Sequence, residues 1–178
     1  MTRTDGAGPP TERRRVEHVD TDASGVVHFS RYVSLMETVV LDHLEEQGAG
    51  LARFGELGAD LAVVDLQVRY SRPAVYRDLL VGEAAVEHVS GARIRVAAVL
   101  LREAADGSRT ELTSGTITFA AVSPATGAAV PIPPTIRQTL RGTPAHAPRH
   151  DSAADTAAGT ARVPGAGTTG AAGGAAAR

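Results

Sequence analysis

The chain has 178 residues, a formal net charge of −2 at pH 7 and no cysteine. This length suits one ordinary domain, and the near-neutral charge gives no reason to expect a nucleic acid or an anionic membrane as a partner. The absence of cysteine excludes disulfides, thiolate metal ligands and cysteine nucleophiles. The first residues lack the apolar segment of a secretory signal, and no apolar run is long enough to span a bilayer. We therefore predict a soluble cytoplasmic protein that contacts neither nucleic acid nor membrane.

The composition changes at both ends of the chain. Residues 1–12 are rich in Gly, Pro and Thr, and residues 143–178 consist mostly of Ala, Gly, Thr and Pro. Segments with so few large apolar residues cannot offset the entropy lost on ordering. We predict that both segments are disordered and that residues 13–142 form the folded domain.

The first predicted elements are a short strand over residues 13–19 and one long helix from Ser30 to Gln47. Apolar residues recur along the helix at the spacing of one face, and Gly48 supplies a stop signal. The members of this stripe are Val33, Met36, Val40 and Leu44. The helix should bury this stripe against the rest of the domain.

After a glycine-rich connection, four strand patterns follow, over residues 61–70, 79–89, 93–102 and 110–122. In the first of them Val64, Leu66, Val68 and Tyr70 alternate with polar residues, which predicts one buried face. Ser90-Gly91 and the sequence ADGS at 105–108 predict tight turns. Short connections imply antiparallel neighbours. The order of elements therefore predicts an α+β domain in which an antiparallel sheet curls around one helix.

The stretch HVDTDASGVVHFSRY, residues 18–32, places Asp22 a few residues before the predicted start of the helix. A helix N-terminus presents unpaired N–H groups that can stabilise a developing oxyanion. A carboxylate facing those donors has the parts that acyl transfer needs, because it can attack a carbonyl or activate a water molecule. The competing interpretation is structural: Asp20, Asp22 and Ser24 only cap a turn and the start of the helix.

Three segments of the chain resemble the hotdog-fold thioesterases of the 4-hydroxybenzoyl-CoA thioesterase type, which include small bacterial acyl-CoA thioesterases. Their D-x-D-x-x-G-x-V pattern, followed by aromatic or histidine residues, a tyrosine and a helical glutamate, matches residues 20–37. The likeness spans about residues 14–141 in the expected order. The segments that carry it are Val19–Tyr32 with Glu37, Arg69–Ala74 with Asp78, and Pro131–Pro133 with Leu140.

The resemblance implies a hotdog fold and a homodimer or homotetramer with active sites between protomers. It also implies that Asp22 is the catalytic carboxylate and that the backbone N–H of Phe29 polarises the thioester carbonyl. The expected activity is hydrolysis of a thioester of coenzyme A or of an acyl carrier protein. We predict that this chemistry uses no cofactor and no metal ion.

Other candidate residues have two interpretations each. His28 precedes Phe29 where many relatives have tyrosine followed by histidine, so it is either a catalyst or a packed residue. Glu37 lies on the predicted apolar stripe of the helix, where a carboxylate either serves the site or makes a structural hydrogen bond. The predicted substrate-binding residues are Tyr32, Arg69, Arg72 and Arg93, the arginines because guanidinium groups suit phosphate. Arg93 can equally be a solvated strand residue.

Two other functions compete with thioester hydrolysis. A hotdog dehydratase would carry a His-Phe-Pro-Gly motif, whereas His28-Phe29 is followed here by Ser30 and Arg31. A non-catalytic acyl-thioester binder or sensor is the alternative from a different class, because a fold does not determine a function. The presence of Asp22, and the absence of a recognisable output domain, favour the enzyme.

Overall fold

The computed structural model describes residues 13–142. The predicted disordered segments, residues 1–12 and 143–178, lie outside the described residues. In chain order the elements are β1 (Arg13–Arg15), a 3-10 turn (His18–Asp20), α1 (Phe29–Glu46), α2 (Leu51–Glu56), β2 (Asp60–Tyr70), β3 (Leu79–Val89), β4 (Arg93–Glu103), β5 (Arg109–Val122) and α3 (Pro134–Gly142).

The strands form one antiparallel sheet in the order β1-β3-β4-β5-β2. Both predicted tight turns are confirmed. Ser90 N–H donates to Arg93 O at 2.9 Å between β3 and β4. Between β4 and β5 the Ser108 amide donates to Asp106 Oδ1 at 2.9 Å, and Gly107 has a φ of 80°. Glycine suits that position because its left-handed backbone conformation disfavours a Cβ.

Helix α1 packs on the concave face of this sheet, mainly against β3 and β4. Its buried side chains follow helical spacing. The close approach depends on Gly82 of β3, where a Cβ would clash with the side chain of Val39. The buried residues of α1 are Tyr32, Leu35, Met36, Val39, Val40 and Leu44. The predicted α+β architecture, a sheet around one long helix, is therefore confirmed.

The predicted strand over residues 13–19 was too long. Strand β1 ends at Arg15, and residues His18–Asp20 form a 3-10 turn. The cause is Asp20, whose Oδ2 accepts a hydrogen bond from the Glu17 amide at 3.0 Å and so turns the chain back on itself. This turn directs the following residues toward the start of α1.

The predicted burial of one face of β2 is also wrong for the single chain. Val64, Leu66 and Tyr70 are exposed. A bulge between Val63 and Asp65 breaks the simple alternation. In addition, β2 is an edge strand of the sheet and lies beyond the strands that α1 covers most extensively. Apolar residues of the helix-facing side of β2 are thus left in contact with solvent.

Two short helices were not predicted. Helix α2 occupies the glycine-rich connection after α1 and buries Phe54 completely. Helix α3 follows the Pro131–Pro133 segment and places Ile136 and Leu140 in the core. Between residues 13 and 142, no helix combines the length and the apolar character needed to cross a membrane.

Candidate active site

A buried ion-pair cluster fixes the loop that leads into α1. Asp20 is 1% exposed, and its Oδ1 accepts hydrogen bonds from Arg31 Nη2 at 2.7 Å and Nε at 2.9 Å. Arg14 Nη2 lies 3.3 Å from the same oxygen. Burial by itself would raise the pKa of Asp20, but the Glu17 amide and the two arginines together hold that pKa below its usual value. Asp20 is therefore a structural anchor that joins β1 to α1.

The backbone of residues 20–28 forms a closed loop. His28 N–H donates to Asp20 O at 2.9 Å, and Asp22 N–H donates to Val26 O at 2.9 Å. At the tip, Gly25 N–H donates to Asp22 O at 2.9 Å with the glycine at a φ of 79°. These bonds hold Asp22 across the loop from the residues that start α1.

Asp22 is partly exposed, and its Oδ1 accepts a hydrogen bond from the Ser24 amide at 2.8 Å. That amide is the main cause that lowers the pKa of Asp22. Partial desolvation opposes it, while the Ser24 hydroxyl, the Val26 amide and the charge of His28 add to it. The carboxylate is therefore ionised at neutral pH.

The N-terminus of α1 provides an open hydrogen-bond donor. His28 is the N-cap: its Nδ1 accepts from the Ser30 amide at 3.4 Å and lies 2.8 Å from Ser30 Oγ. Arg31 N–H donates to His28 O at 2.9 Å. Within residues 13–142, the N–H of Phe29 has no hydrogen-bond acceptor. The helix dipole adds positive potential at this point, so this N–H can polarise a carbonyl group.

An apolar cleft of about 280 Å³ adjoins this terminus. Tyr70 forms one side, and its hydroxyl donates to Phe29 O at 3.1 Å. The Tyr70 ring packs edge-to-face on Tyr32, with the ring centroids 5.6 Å apart. The Tyr32 hydroxyl accepts from the Ala74 amide at 2.7 Å, which fixes the ring at the base of the cleft. The lining residues are Val27, Phe29, Tyr32, Tyr70, Ser71, Arg72 and Pro73.

Several of the predicted site residues therefore lie close together. Phe29, Tyr32 and Arg72 line the cleft, and the loop places Asp22 and His28 beside the helix terminus. Burial of the Tyr32 hydroxyl raises its pKa above the usual value. Tyr32 therefore contributes an aromatic wall to the cleft, and its hydroxyl stays protonated at neutral pH. His28 has a structural task as the helix cap, in accord with the non-catalytic interpretation of that residue.

Glu37 does not lie on the buried stripe of α1, contrary to the sequence-based expectation. Its side chain is exposed. The buried face of α1 is centred on Met36, Val39 and Val40, and Glu37 lies about 100° around the helix from Met36. The predicted stripe included Val33, which is only half-buried, whereas the buried Leu35 and Val39 lie on the other side of Met36 from Glu37.

Arg69 and Arg93 lie apart from the cleft. Arg69 follows Val68 and precedes Tyr70, and Tyr70 faces α1, so Arg69 points to the opposite face of the sheet. There it lines a separate depression of about 350 Å³. Arg93 starts β4, is exposed, and its amide donates to Ser90 Oγ at 3.0 Å. In the described part of the chain, no hydrogen bond or ion pair links either arginine to the Asp22 loop.

Tyr70 was not predicted as a site residue. It was assigned to a buried strand face, whereas its ring lines the cleft and its hydroxyl contacts the first residue of α1. Its position directly before the loop Ser71-Arg72-Pro73 was the available signal, because binding residues concentrate on and beside loops that a rigid scaffold positions. Among residues 13–142, no group of three or more His, Asp or Glu is placed to hold a metal ion.

Comparisons with known proteins agree with this architecture. The family model described as the thioesterase-like superfamily matches residues 16–140. A putative esterase of Synechocystis sp. (strain ATCC 27184 / PCC 6803 / Kazusa) is 30% identical over 127 residues, which cover 70% of this chain and 74% of that protein. A putative esterase of Aquifex aeolicus (strain VF5) is 28% identical over 78 residues, which span 44% of this chain and 61% of the relative's length.

A solved structure extends the comparison to three dimensions. The structure of a 1,4-dihydroxy-2-naphthoyl-CoA thioesterase from Synechocystis superposes with a TM-score of 0.64 at 19% identity, and the match covers 74% of this chain and 95% of that one. At this identity the likeness shows a shared fold. The family match covers nearly all of the described domain, so the chain belongs to the thioesterase-like superfamily and has its hotdog fold.

Proposed function

We propose that this protein is a thioester hydrolase that releases a free acid and a thiol from an acyl-CoA or acyl-carrier-protein thioester. One observation carries the proposal: an ionised carboxylate, Asp22, lies on a fixed loop beside a helix terminus whose Phe29 N–H is open. A donor for the carbonyl oxygen and a base or nucleophile for the carbonyl carbon are the minimal parts of acyl-transfer chemistry.

In the proposed reaction, the thioester oxygen accepts a hydrogen bond from the Phe29 N–H. Asp22 then either attacks the carbonyl carbon or takes a proton from a water molecule that attacks it. In both cases a bond from oxygen to the acyl carbon forms and the carbon–sulfur bond breaks. If Asp22 is the nucleophile, water then hydrolyses the resulting anhydride, which releases the free acid and restores the carboxylate. The thiolate leaves and receives a proton, and one water molecule is consumed for each acid and thiol released. The low pKa of Asp22 keeps its carboxylate available for this step at neutral pH.

The cleft between Tyr32, Tyr70 and Pro73 suits the acyl group. Its walls are mainly aromatic and aliphatic, and its volume of about 280 Å³ lies close to the lower end of the usual range for ligand pockets, about 300–1,000 Å³. Arg72 at its edge would favour an acyl group, or an adjoining part of the substrate, that carries negative charge. Coenzyme A is our preferred carrier because the Synechocystis structure is that of a CoA thioesterase.

We further propose that the working form is a homodimer or homotetramer paired through β2. The helix-facing side of this edge strand exposes Val63 and Leu66, which are 48% and 40% accessible in the single chain. An edge strand also presents unpaired N–H and C=O groups to a second strand. A second copy of the chain would cover both features.

Replacing Leu66 with glutamate should disrupt this pairing. The charge would be placed in the apolar centre of the interface, where an unpaired carboxylate is costly to bury, so we expect wild type to be dimeric or larger and Leu66→Glu to shift toward monomer. Gln67→Glu is the matched control, because it adds the same charge on the opposite face of β2. Light scattering at micromolar concentration measures both. A monomeric wild type would refute the pairing.

The activity is tested by a hydrolysis screen of the purified protein. A panel of acyl-CoAs and acyl carrier proteins, with aliphatic and aromatic acyl groups, is followed by release of free thiol. We expect turnover of at least one substrate class well above the uncatalysed rate. Tight binding of a thioester without turnover would instead support the acyl-thioester binder, and would contradict the proposed activity.

A further inference from the structure

The hydroxyl of Tyr70 joins the wall of the acyl cleft to the residue that carries the open N–H. Tyr70 is the last residue of β2, and its hydroxyl donates to Phe29 O at 3.1 Å. Both residues line the cleft of about 280 Å³. The reaction proposed above uses the Phe29 N–H and Asp22, and it leaves the Tyr70 hydroxyl without a role.

Tyr70 is held in place by the sheet. It pairs with Thr113 of β5. Directly after it, the amides of Ser71 and Arg72 donate to Leu112 O at 2.8 Å and 3.1 Å. The end of β2 is thus hydrogen-bonded to its neighbouring strand on both sides of the point from which the tyrosine ring projects. The hydroxyl is therefore a fixed point on the sheet, against which the first residue of α1 can be positioned.

Phe29 has little anchoring through its own side chain. The side chain is 64% exposed. Its ring stacks on the neighbouring His28, with 4.5 Å between the ring centroids, and His28 is itself exposed. A residue that does not bury its side chain is held mainly by its backbone contacts. The hydrogen bond from Tyr70 to the Phe29 carbonyl therefore has more weight here than it would have at a packed position.

Two hydrogen bonds hold the peptide planes on either side of the Phe29 Cα. The plane that contains the Phe29 N–H also contains the His28 carbonyl, which accepts from the Arg31 amide at 2.9 Å. The next plane contains the Phe29 carbonyl, which accepts from the Tyr70 hydroxyl. A carbonyl oxygen has two lone pairs, so this bond leaves one for the amide of the next helical turn. Because each peptide unit is planar, fixing both planes fixes the direction of the N–H.

The strength of the bond from Tyr70 depends on what fills the cleft. Tyr70 is 47% exposed in the single chain, so water competes for its hydroxyl when the cleft is empty. A hydrogen bond that competes with water contributes little net free energy. An acyl group that packs against the Tyr70 ring excludes this water, and the same bond is stronger in less polar surroundings. An acyl group too short to cover the ring leaves the bond exposed.

We propose that Tyr70 is a positioning residue that makes the alignment of the Phe29 N–H depend on the acyl group in the cleft. An acyl group that covers the Tyr70 ring strengthens the bond from its hydroxyl to Phe29 O, and this aligns the N–H with the thioester carbonyl. Recognition of the acyl group then affects the rate of the chemical step as well as binding. This inference rests on the proposed thioesterase function and adds a source of acyl selectivity to it.

The variant Tyr70→Phe removes the hydroxyl and keeps the aromatic wall of the cleft. For the preferred acyl-CoA of the hydrolysis screen we expect kcat to fall about three- to tenfold, as for the loss of one hydrogen bond, with KM within about twofold of wild type. For the shortest acyl group that is still hydrolysed, kcat should change by less than about twofold. Tyr76→Phe is the matched control, because Tyr76 is 49% exposed and lies outside the acyl cleft. Its kinetics should equal those of wild type.

An equal fall in kcat for both acyl groups would overturn the proposal, because a purely structural effect of the hydroxyl would not depend on the acyl group. So would a wild-type kcat of Tyr70→Phe on the preferred substrate, or a change confined to KM. Light scattering checks the oligomeric state, since β2 is the proposed pairing strand. A shift of Tyr70→Phe toward monomer would assign the loss of rate to pairing and would also overturn the proposal.

A ligand that cannot be hydrolysed separates this inference from the proposed function. In a ketone analogue of the preferred acyl-CoA, CH2 replaces the thioester sulfur, and the ¹³C chemical shift of the carbonyl reports the hydrogen bond that its oxygen accepts. If wild type hydrolyses no thioester, the proposed function fails, but the ketone analogues of octanoyl-CoA and benzoyl-CoA still decide the inference. We expect a downfield shift on binding to wild type and to Tyr76→Phe, and a smaller one in Tyr70→Phe. Equal shifts in the three proteins, or no shift in wild type, would contradict it.

Discussion

Replacing Asp22 with asparagine should lower kcat for thioester hydrolysis by about 10²- to 10⁴-fold, the usual contribution of a general base. The amide can neither attack a thioester nor accept a proton from water. The fold should be kept, because asparagine is the same size and its Oδ1 can still accept the Ser24 amide that now binds Asp22 Oδ1 at 2.8 Å. KM should change less than kcat, since the lost interaction belongs to the transition state.

A matched control for this variant is Asp42→Asn. Asp42 is exposed and lies on the same helix that begins at Phe29, about 20 Å along the axis from that terminus. Its substitution removes the same charge and should leave kcat near the wild-type value. Wild-type kcat in Asp22→Asn, combined with loss of activity in Glu37→Gln, would place the catalytic carboxylate on the helix and refute the assignment.

The pH dependence of the rate follows from the lowered pKa of Asp22. The reactive form is the ionised carboxylate, so the loss of kcat/KM that depends on Asp22 should have its midpoint below the ordinary aspartate value of about 3.9. A decrease in kcat/KM centred near neutral pH, in protein that is still folded, would show that another group limits the reaction.

Replacing Asp20 with asparagine should have its main effect on stability. Its carboxylate is buried and accepts hydrogen bonds from Arg31, Arg14 and the Glu17 amide. Removing one partner of a buried ion pair typically costs about 3–5 kcal/mol. Both arginines are 37% exposed, so water can solvate them again, and we expect a loss of about 2–3 kcal/mol of unfolding free energy. Chemical denaturation monitored by circular dichroism measures it.

The same ion-pair cluster gives a pH dependence of stability with a defined sign. The pKa of Asp20 is lower in the folded protein than in the unfolded chain. Its stabilising contribution is therefore present above the unfolded value of about 3.9 and is lost as the pH falls through the folded value. Asp20→Asn should remove this part of the acid destabilisation. An identical pH dependence of unfolding free energy in the variant and in wild type would contradict the anchoring role.

The local sequence was sufficient to predict α1, the long strands and the two tight turns, because each rests on short-range signals. The stripe of α1 repeats over several turns, and Gly107 follows Asp106 in a typical hairpin turn. The burial of β2 was not predictable in this way. Alternation indicates which residues share a face, but only the three-dimensional arrangement shows that this strand is at an edge and is poorly covered by α1.

The short helices escaped prediction for a related reason. Helix α2 spans Leu51–Glu56 and contains Gly55, so its local preference for helix is weak. Its stability depends on burying Phe54 against residues that are distant in sequence. The same applies to α3, which places Ile136 and Leu140 in the core. Such contacts do not appear in the sequence of the segment itself.

At the site, the sequence identified the loop, but residue type and position alone did not show which of its two aspartates is structural and which is available for chemistry. Asp20 and Asp22 are the same residue type in one motif, and either could cap a turn. The two aspartates differ in burial and in pairing. Arg31 and Arg14 pair with the buried Asp20, whereas Asp22 is partly exposed on the loop.

The division of roles between these two aspartates is tested most directly by one measurement. The rate of thiol release from a single acyl-CoA is determined for wild type, Asp20→Asn and Asp22→Asn, each well below its own melting temperature. We predict that Asp20→Asn keeps a rate within a few-fold of wild type and that Asp22→Asn loses about 10²- to 10⁴-fold. Equal rates for Asp22→Asn and wild type, or a larger loss for Asp20→Asn than for Asp22→Asn, would contradict the account.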